Sequence, residues 1–440
     1  MLLEDAKKGY ADLFEIDHNL DRLVKNIELL NYLNPLNIEQ EKKTFFKSKF
    51  TYEPSFKYRK IKFNPYKMQR LFFSQRLEKI EDETIRNFYE EIIYEYSGLI
   101  SCIEHIGQDK KFYYNNLKVF GTPKQRDVEN AQFILHFSEE VDLEVMKPRY
   151  NVDDAVAYFE AFGKAYNFRF TIKKSTNISA AAMVLNASET LVLKRNHMFS
   201  ENQLKVLANH EICVHMVTTF NGKLQPLKVF SNGFKNNTET QEGLAVFSEY
   251  MSNSLTLKRM KELAYRVIAA DSLIKGYSFS DTFDLLYSQY KLDKHEAWQI
   301  TLRVHRGGGF TKDFLYLTGL KKVYDFYHSG GEMTKMLTGK VTLENLDVIE
   351  KQLDVSLLPR GNLISILGKS ENILITKNTL SKLYERAKSV KILEEKDVEA
   401  IINFMKEHGK NNKKQSHQVQ LQRLLIESYY LSSLFLFFLP

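Results

Sequence analysis

Cysteine, proline, glycine and tryptophan are all scarce in this sequence of 440 residues, which contains 2 Cys, 8 Pro, 19 Gly and 1 Trp. Two cysteines, Cys102 and Cys213, exclude a small fold built on a framework of disulfides. Few prolines and glycines leave few positions that must interrupt a helix, so we expect long helices and few extended loops. The length is enough for a sizeable core and two or three structural units.

Long apolar runs are also missing. No stretch of 18 or more uncharged apolar residues occurs, so the sequence predicts no membrane-spanning helix. The first residues lack the apolar segment of a signal peptide, and we therefore expect a cytoplasmic protein. Residues 429–440 are almost wholly apolar but short for a span. They fit either a helix docked into a groove, which we favour, or a tail that touches a membrane.

Neither sign of charge dominates, because 62 basic and 55 acidic residues give a net charge of +7. This mild excess is compatible with acidic peptides or nucleic acid as partners and requires neither. Since the sequence contains no recognised nucleic-acid-binding motif, we expect no nucleic-acid partner.

One short region departs from the helical patterns that fill most of the chain. Residues 168–173 alternate between apolar and polar side chains, as a half-buried strand does. Residues 181–185 and 191–195 are two further strand candidates, and the turn residues 186–189 between them predict a hairpin. The sequence therefore predicts a mostly helical α+β fold in which a small sheet directly precedes the next helix.

That next helix carries the densest group of potential metal ligands. Ser200 and Gln203 form a capping box at its start, and His210, Glu211 and His215 lie inside it. The histidines of the common zinc-protease motif are four residues apart and share one helix face. Here the spacing is five, which turns a regular helix by roughly 140° rather than about 40°. A π-bulge absorbs one extra residue, so we predict one within residues 212–214.

A catalytic zinc site needs a third protein ligand and keeps one position open for water. Glu242 is the best candidate, because it lies 27 residues after His215, which is enough for a loop and a return helix. The competing interpretation is that a carboxylate near a helix start only stabilises the helix terminus.

The letters HEICVH at 210–215, followed by QEGLA at 241–245, resemble the QEGLA-motif zinc carboxypeptidases. That family includes the microtubule-associated tyrosine carboxypeptidases and bacterial flavohaemoglobin expression-modulating relatives. The resemblance is clearest over residues 177–330. It implies a Zn²⁺ cofactor held by His210, His215 and Glu242, with Glu211 as catalytic base. It also implies a substrate that is the C-terminal tail of a peptide or protein, with Tyr or Phe as the released residue.

A second dense stretch, RVHRGGGFTKD at 303–313, contains a glycine triplet between basic residues. Arginine binds a carboxylate through two parallel hydrogen bonds, and a carboxypeptidase must recognise the terminal carboxylate of its substrate. We expect Arg303 or Arg306, and then Lys312, to bind it, and Tyr316 to donate a hydrogen bond to the oxyanion. Alternatively, the glycines form a plain helix end and the arginines pair structurally with Asp313 or Asp325.

Together these patterns predict a zincin-like catalytic domain at residues 121–360, between a helical N-terminal region (1–120) and a helical C-terminal region with the apolar tail (361–440). The favoured function is zinc-dependent hydrolysis of the C-terminal peptide bond. A different class remains open, namely a regulatory metal-binding protein with little or no peptidase activity. Among enzymes, an aminopeptidase would need a cluster of carboxylates to bind the substrate amine. The candidate pocket is basic, which favours an enzyme that binds the C-terminal carboxylate of its substrate.

Overall fold

The computed structural model describes residues 10–346, apart from residues 26, 138–143, 166–168, 187 and 253. Helices dominate this part of the chain and one small mixed sheet accompanies them, so the predicted mostly helical α+β class is confirmed. The predicted C-terminal region, including the apolar segment 429–440, lies outside the described residues.

The helices, in chain order, are α1 (Ala11–Val24), α2 (Leu29–Leu33), α3 (Ile38–Lys47), α4 (Pro65–Phe73), α5 (Glu83–Glu104), α6 (Asp109–Phe120), α7 (Gln125–Leu135), α8 (Val152–Ala165), α9 (Glu201–Leu207), α10 (Val217–Leu224), α11 (Val229–Asn232), α12 (Asn237–Met251), α13 (Leu257–Ile274), α14 (Phe279–Asp284), α15 (Lys294–His305), α16 (Leu315–His328) and α17 (Met333–Met336). The strands are β1 (Thr171–Ser175), β2 (Ala182–Leu185) and β3 (Thr190–Lys194). Two π-helices (Ala208–Met216 and Leu285–Gln289) and four 3₁₀ turns (Leu77–Lys79, Glu144–Met146, Arg306–Gly308 and Lys312–Phe314) complete the described elements.

The sheet has the order β1-β3-β2, so β3 lies at its centre. The predicted hairpin is confirmed, because β2 and β3 pair antiparallel, whereas β1 pairs parallel with β3. The first strand begins at Thr171, three residues later than the predicted start. Strand β3 is almost wholly buried while β2 is only partly so, as expected for a central and an outer strand.

A continuous helix, residues 201–224, follows the sheet; we call it the motif helix. The Ser200 hydroxyl accepts a hydrogen bond from the backbone N–H of Gln203 at 3.1 Å, which fixes the start of the motif helix as predicted. Its middle third, Ala208–Met216, is a π-helix between the α-helical parts α9 and α10. The predicted distortion is therefore confirmed and is longer than residues 212–214.

Helix α12 packs against both the motif helix and α16. Two glycines allow the close approach to α16, because a Cβ on Gly243 would lie 2.2 Å from the carbonyl carbon of Gly319. A Cβ on Gly319 would lie 2.1 Å from the carbonyl oxygen of Glu239. Any larger residue at either position would force the two helices apart.

One hydrophobic core joins the N-terminal helices to the elements around the motif helix, from Leu13 of α1 through Ile212 to Leu317 of α16. A second cluster packs Phe45 of α3 against Trp298 of α15. The division of the chain at residues 120 and 360 stays a prediction. Within the described part of the chain, no helix combines the length and apolarity needed to cross a bilayer.

Candidate metal centre

The π-helix brings the two motif histidines together. The imidazole centroids of His210 and His215 lie 5.0 Å apart, although the residues are five positions apart in the chain. The His210 side chain is 6% exposed and that of His215 is 16% exposed, so both rings face the interior. A π-helix lengthens the turn by one residue, which is the geometric reason that this spacing can serve one site.

Helix α12 places Glu242 opposite the two rings. Its Oε2 lies 3.5 Å from Nε2 of His210 and 3.5 Å from Nε2 of His215. One nitrogen or oxygen ligand atom from each of the three residues lies within 4.8 Å of the others. The residues predicted from the motif to be ligands are therefore close neighbours.

These three groups fit a zinc ion. Imidazole nitrogen and carboxylate oxygen are zinc ligands, and tetrahedral bonds of about 2.0–2.1 Å would separate neighbouring ligand atoms by roughly 3.4 Å. The observed 3.5 Å between Glu242 Oε2 and each Nε2 is close to that separation. The same Oε2 is buried and accepts no hydrogen bond from a described residue. Such an atom is costly to bury unless a cation or a donor satisfies it.

Strong electrostatic interactions couple the two rings and the carboxylate. Burial disfavours the charged form of His210, but Glu242 and Glu249 outweigh it and raise the pKa of His210 to about 9. Burial likewise opposes ionisation of Glu242, yet Lys312 and the two histidines hold its pKa well below the usual range. Glu242 is thus ionised and has the charge that a metal ligand needs. A divalent cation would displace the proton from His210, because a ligating imidazole is neutral.

Glu211, the predicted base, follows His210 directly. It is partly exposed, unlike its buried neighbour His210. Its carboxylate makes no hydrogen bond or ion pair with a described residue. A carboxylate beside a metal site that is not committed to a structural contact is available to a water molecule or a substrate.

Lys312 and Tyr316 border the site. The Lys312 ammonium donates a hydrogen bond to Glu242 Oε1, and it lies 5.2 Å from the centre of the Tyr316 ring. That ring is nearly parallel to the His210 imidazole, with centroids 5.9 Å apart and 16° between the planes. Burial raises the pKa of Tyr316, so its phenol keeps its proton and can donate. Of the four predicted substrate-binding residues, these two touch the candidate metal ligands.

Arg303 and Arg306 are committed to other partners. Arg303 makes a two-pronged ion pair with Asp313, whose side chain is 1% exposed. Arg306 donates to Ser179 Oγ at 2.6 Å and to Asn34 Oδ1 at 3.2 Å. Burial, followed by the nearby Arg303, lowers the pKa of Arg306 to about 10. The alternative interpretation, in which these arginines form structural ion pairs with an aspartate, is therefore observed for Arg303.

The glycine triplet at 307–309 packs against helix α6. All three glycines have positive φ angles, and a Cβ on Gly308 would lie 2.5 Å from the Asp109 Cα. A Cβ on Gly307 would lie 2.5 Å from Leu33. The close backbone contacts that these glycines allow are therefore made with other residues of the same chain.

Sequence reasoning missed Glu249, which lies seven residues after Glu242 on the same helix. Its Oε1 lies 2.8 Å from His210 Nδ1, and its side chain is 0% exposed. Two residues seven apart lie on one face of an α-helix, which is the signal that could have identified it.

Comparison with known proteins gives the family. The model of the family described as microtubule-associated tyrosine carboxypeptidase matches residues 43–384. The chain belongs to this family. The resemblance inferred from the two motifs is therefore confirmed.

Curated relatives of this family are distant in sequence. A mouse protein named "Putative tyrosine carboxypeptidase MATCAP2" is 23% identical over 346 residues, which cover 74% of this chain and 57% of the relative. The mouse "Microtubule-associated tyrosine carboxypeptidase 1" is 24% identical over 331 residues, which cover 72% of this chain and 61% of the relative. The matches thus span about three fifths of the length of these relatives.

Proposed function

We propose that this chain is a zinc-dependent metallocarboxypeptidase that hydrolyses the C-terminal peptide bond of a peptide or protein and releases Tyr or Phe. The observation that carries the proposal is the convergence of His210, His215 and Glu242 within 4.8 Å, in a chain of the tyrosine carboxypeptidase family. The names of the relatives support the substrate class. The zincin-like character of the domain and a cytoplasmic location belong to the same proposal.

His210 and His215, through Nε2, and Glu242, through Oε2, would hold the zinc ion. When bound, zinc would polarise the scissile carbonyl and lower the pKa of a neighbouring water from about 16 to about 7. Glu211 takes the proton of the attacking water and transfers it to the leaving amine. Tyr316 is the proposed donor to the oxyanion, because it is the phenol that borders the ligands.

To bind the terminal carboxylate of its substrate, the enzyme needs a cationic side chain near the scissile bond. Among the three predicted candidates, the contacts favour Lys312, because its ammonium already lies at the Glu242 carboxylate. All three cations have buried partners, but Asp313, the partner of Arg303, is not a candidate metal ligand, and neither are Ser179 and Asn34, the partners of Arg306. The partner of Lys312 is the candidate ligand Glu242 itself, so of the three cations Lys312 is the one that contacts the proposed metal site. We therefore rank Lys312 ahead of both arginines.

The test is hydrolysis of peptides that end in Tyr, Phe, Ala or Lys by the zinc-loaded chain, with products identified by mass spectrometry. Release of Tyr or Phe is expected. Glu211→Gln should keep its zinc and lose hydrolysis by about 100-fold or more, since general base catalysis contributes about 10²–10⁴-fold. Glu201→Gln, on the same helix and paired with Lys205 at the surface, is the control and should remain active.

Two results would contradict this proposal. If the zinc-loaded chain cleaves none of these peptides, the regulatory metal-binding alternative is favoured. If Glu211→Gln turns over normally, the assignment of the base is wrong even though the carboxypeptidase activity stands.

Recognition of the carboxylate has its own assay. Peptides with a C-terminal amide in place of the acid should be poor substrates of the natural chain. Lys312→Met should reduce the preference for peptides with a C-terminal acid over those with an amide, and it should raise KM for the acid peptides. Zinc content is measured in parallel, because Lys312 also contacts Glu242. Lys321→Met is the matched control, because that lysine pairs with Asp325 on α16. An unchanged preference in Lys312→Met would return the role to one of the arginines.

A further inference from the structure

A closed series of contacts links His210 to side chains of α12, α13 and α16. We call it the outer ring; its members are Glu249, Arg259, Glu262, Arg266 and Tyr316. Glu249 lies on α12, three members lie on α13 and Tyr316 lies on α16. The spacing of three and four residues between the α13 members puts them on one helix face.

The ring begins at the second nitrogen of the imidazole. His210 Nδ1 lies 2.8 Å from Glu249 Oε1. Arg259 in turn donates to both oxygens of Glu249, through Nε at 3.0 Å and through Nη2 at 3.2 Å. Because Glu249 is fully buried, this two-pronged contact with Arg259 supplies a counter-charge to its carboxylate.

The contacts then return to the imidazole by way of the tyrosine. Arg259 also donates to Glu262 at 2.9 Å, and Glu262 pairs with Arg266. The Arg266 guanidinium lies 5.1 Å from the centre of the Tyr316 ring, which is nearly parallel to the His210 imidazole. Glu249 therefore fixes the edge of the imidazole, and Tyr316 lies along its face.

We propose that Glu249 and Arg259 are positioning residues of the metal centre. Glu249 accepts the Nδ1 proton of His210, which leaves Nε2 as the nitrogen that points towards Glu242, and Arg259 holds Glu249 in place. A carboxylate or carbonyl on the second nitrogen of a ligating histidine fixes its tautomer and orientation and increases its basicity. This inference rests on the metal site of the proposed function and is independent of the reaction performed there.

Stability alone does not explain this arrangement. Burial of an ion pair is often no more stabilising than apolar residues of the same volume. Glu249 moreover contacts one particular nitrogen of His210, Nδ1, whereas Glu242 faces Nε2. A purely structural role requires no such choice between the two nitrogens.

The experiment measures zinc affinity of the full chain by competition with a coloured chelator. Glu249→Gln keeps the shape of the side chain and removes its charge, and it should bind zinc about 10–100-fold more weakly. Arg259→Lys keeps the charge and loses the two-pronged contact, so a smaller loss is expected. Visible absorption of the cobalt-loaded chain should shift in both variants, because it reports the ligand geometry.

Asp17→Asn is the matched control. Asp17 is also a buried carboxylate, 3% exposed, and it accepts hydrogen bonds from the Tyr89 hydroxyl and from the amides of Lys228 and Val229. It is no member of the outer ring, so its loss should lower stability without changing zinc affinity or the cobalt spectrum.

The outcomes separate this inference from the proposed function. Wild-type zinc affinity and an unchanged cobalt spectrum in a folded Glu249→Gln chain would overturn the inferred positioning roles. If Glu249→Gln does not fold, the same two results in Arg259→Lys would overturn them. Tight zinc binding by the natural chain without peptide cleavage would refute the carboxypeptidase and leave the positioning roles intact.

Discussion

Replacement of Gly319 by alanine should disturb the metal centre from a distance, because this residue controls how closely α16 approaches α12. The added Cβ would lie 2.1 Å from the Glu239 carbonyl oxygen, and the backbone of Gly243 would lie 3.0 Å away. A carbon–oxygen contact needs about 3.3 Å, so the helices must separate by roughly 1 Å. Backbone atoms cannot rotate out of the way as a side chain can.

Two energies compete in this variant. Alanine favours a helix over glycine by up to about 1 kcal/mol, whereas overpacking costs about 1–3 kcal/mol. We therefore expect a net loss of about 1–2 kcal/mol in the free energy of unfolding. The larger effect should be on function, because Glu242 lies on the displaced helix and a misplacement of about 1 Å can reduce catalysis by about 100-fold.

The assays are urea unfolding, zinc affinity and peptide hydrolysis. Gly98→Ala is the matched control, since Gly98 also lies inside a helix but its Cβ would meet a side-chain atom, the Val119 Cγ2 at 2.8 Å, and no backbone atom within 4 Å. If Gly319→Ala has the zinc affinity and activity of the natural chain, the helix contact does not set the position of Glu242.

Two further predictions concern stability. Asp313→Asn should lower the free energy of unfolding by about 3–5 kcal/mol in urea, because it leaves the Arg303 guanidinium, 12% exposed, without its buried counter-ion. Burial lowers the pKa of His305 from 6.5 to about 4, so the folded chain binds fewer protons than the unfolded chain between these values. The free energy of unfolding should therefore fall by up to about 3 kcal/mol as the pH falls from 6.5 to 4, and His305→Gln should remove this slope.

Each of these predictions has a control. Asp153→Asn removes one partner of a pair in which the aspartate side chain is 75% exposed, and it should cost less than about 1 kcal/mol. If Asp313→Asn lowers the free energy of unfolding by the same small amount, the buried Arg303–Asp313 pair stabilises the fold no more than a surface pair does. A His305→Gln chain with the acid slope of the natural chain would assign the slope to other groups.

The parts of the site that are local in sequence were the predictable ones. The five-residue spacing of His210 and His215 predicted the π-helix, because an undistorted α-helix would turn the rings away from each other. Ser200 predicted where the helix begins, since its hydroxyl needs only an amide three residues away. The hairpin of β2 and β3 likewise depends on a short turn.

Contacts between distant segments were not predictable in the same way. The Lys312–Glu242 contact joins residues 70 positions apart, and its existence depends on how α12 and α16 pack. The basic stretch around Arg303 suggested a ligand site, although its Asp313 partner was already within the same eleven letters. Charge in a sequence does not reveal whether a guanidinium has a buried counter-ion, because that depends on the tertiary fold.

The central claim is that His210, His215 and Glu242 together hold one zinc ion. Elemental analysis of the purified chain after dialysis tests it most directly, with His215→Ala and Glu242→Gln compared under the same conditions. We expect about one zinc ion per chain in the natural protein and almost none in either variant, since a catalytic site uses three protein ligands. Wild-type zinc content in both variants would contradict the claim.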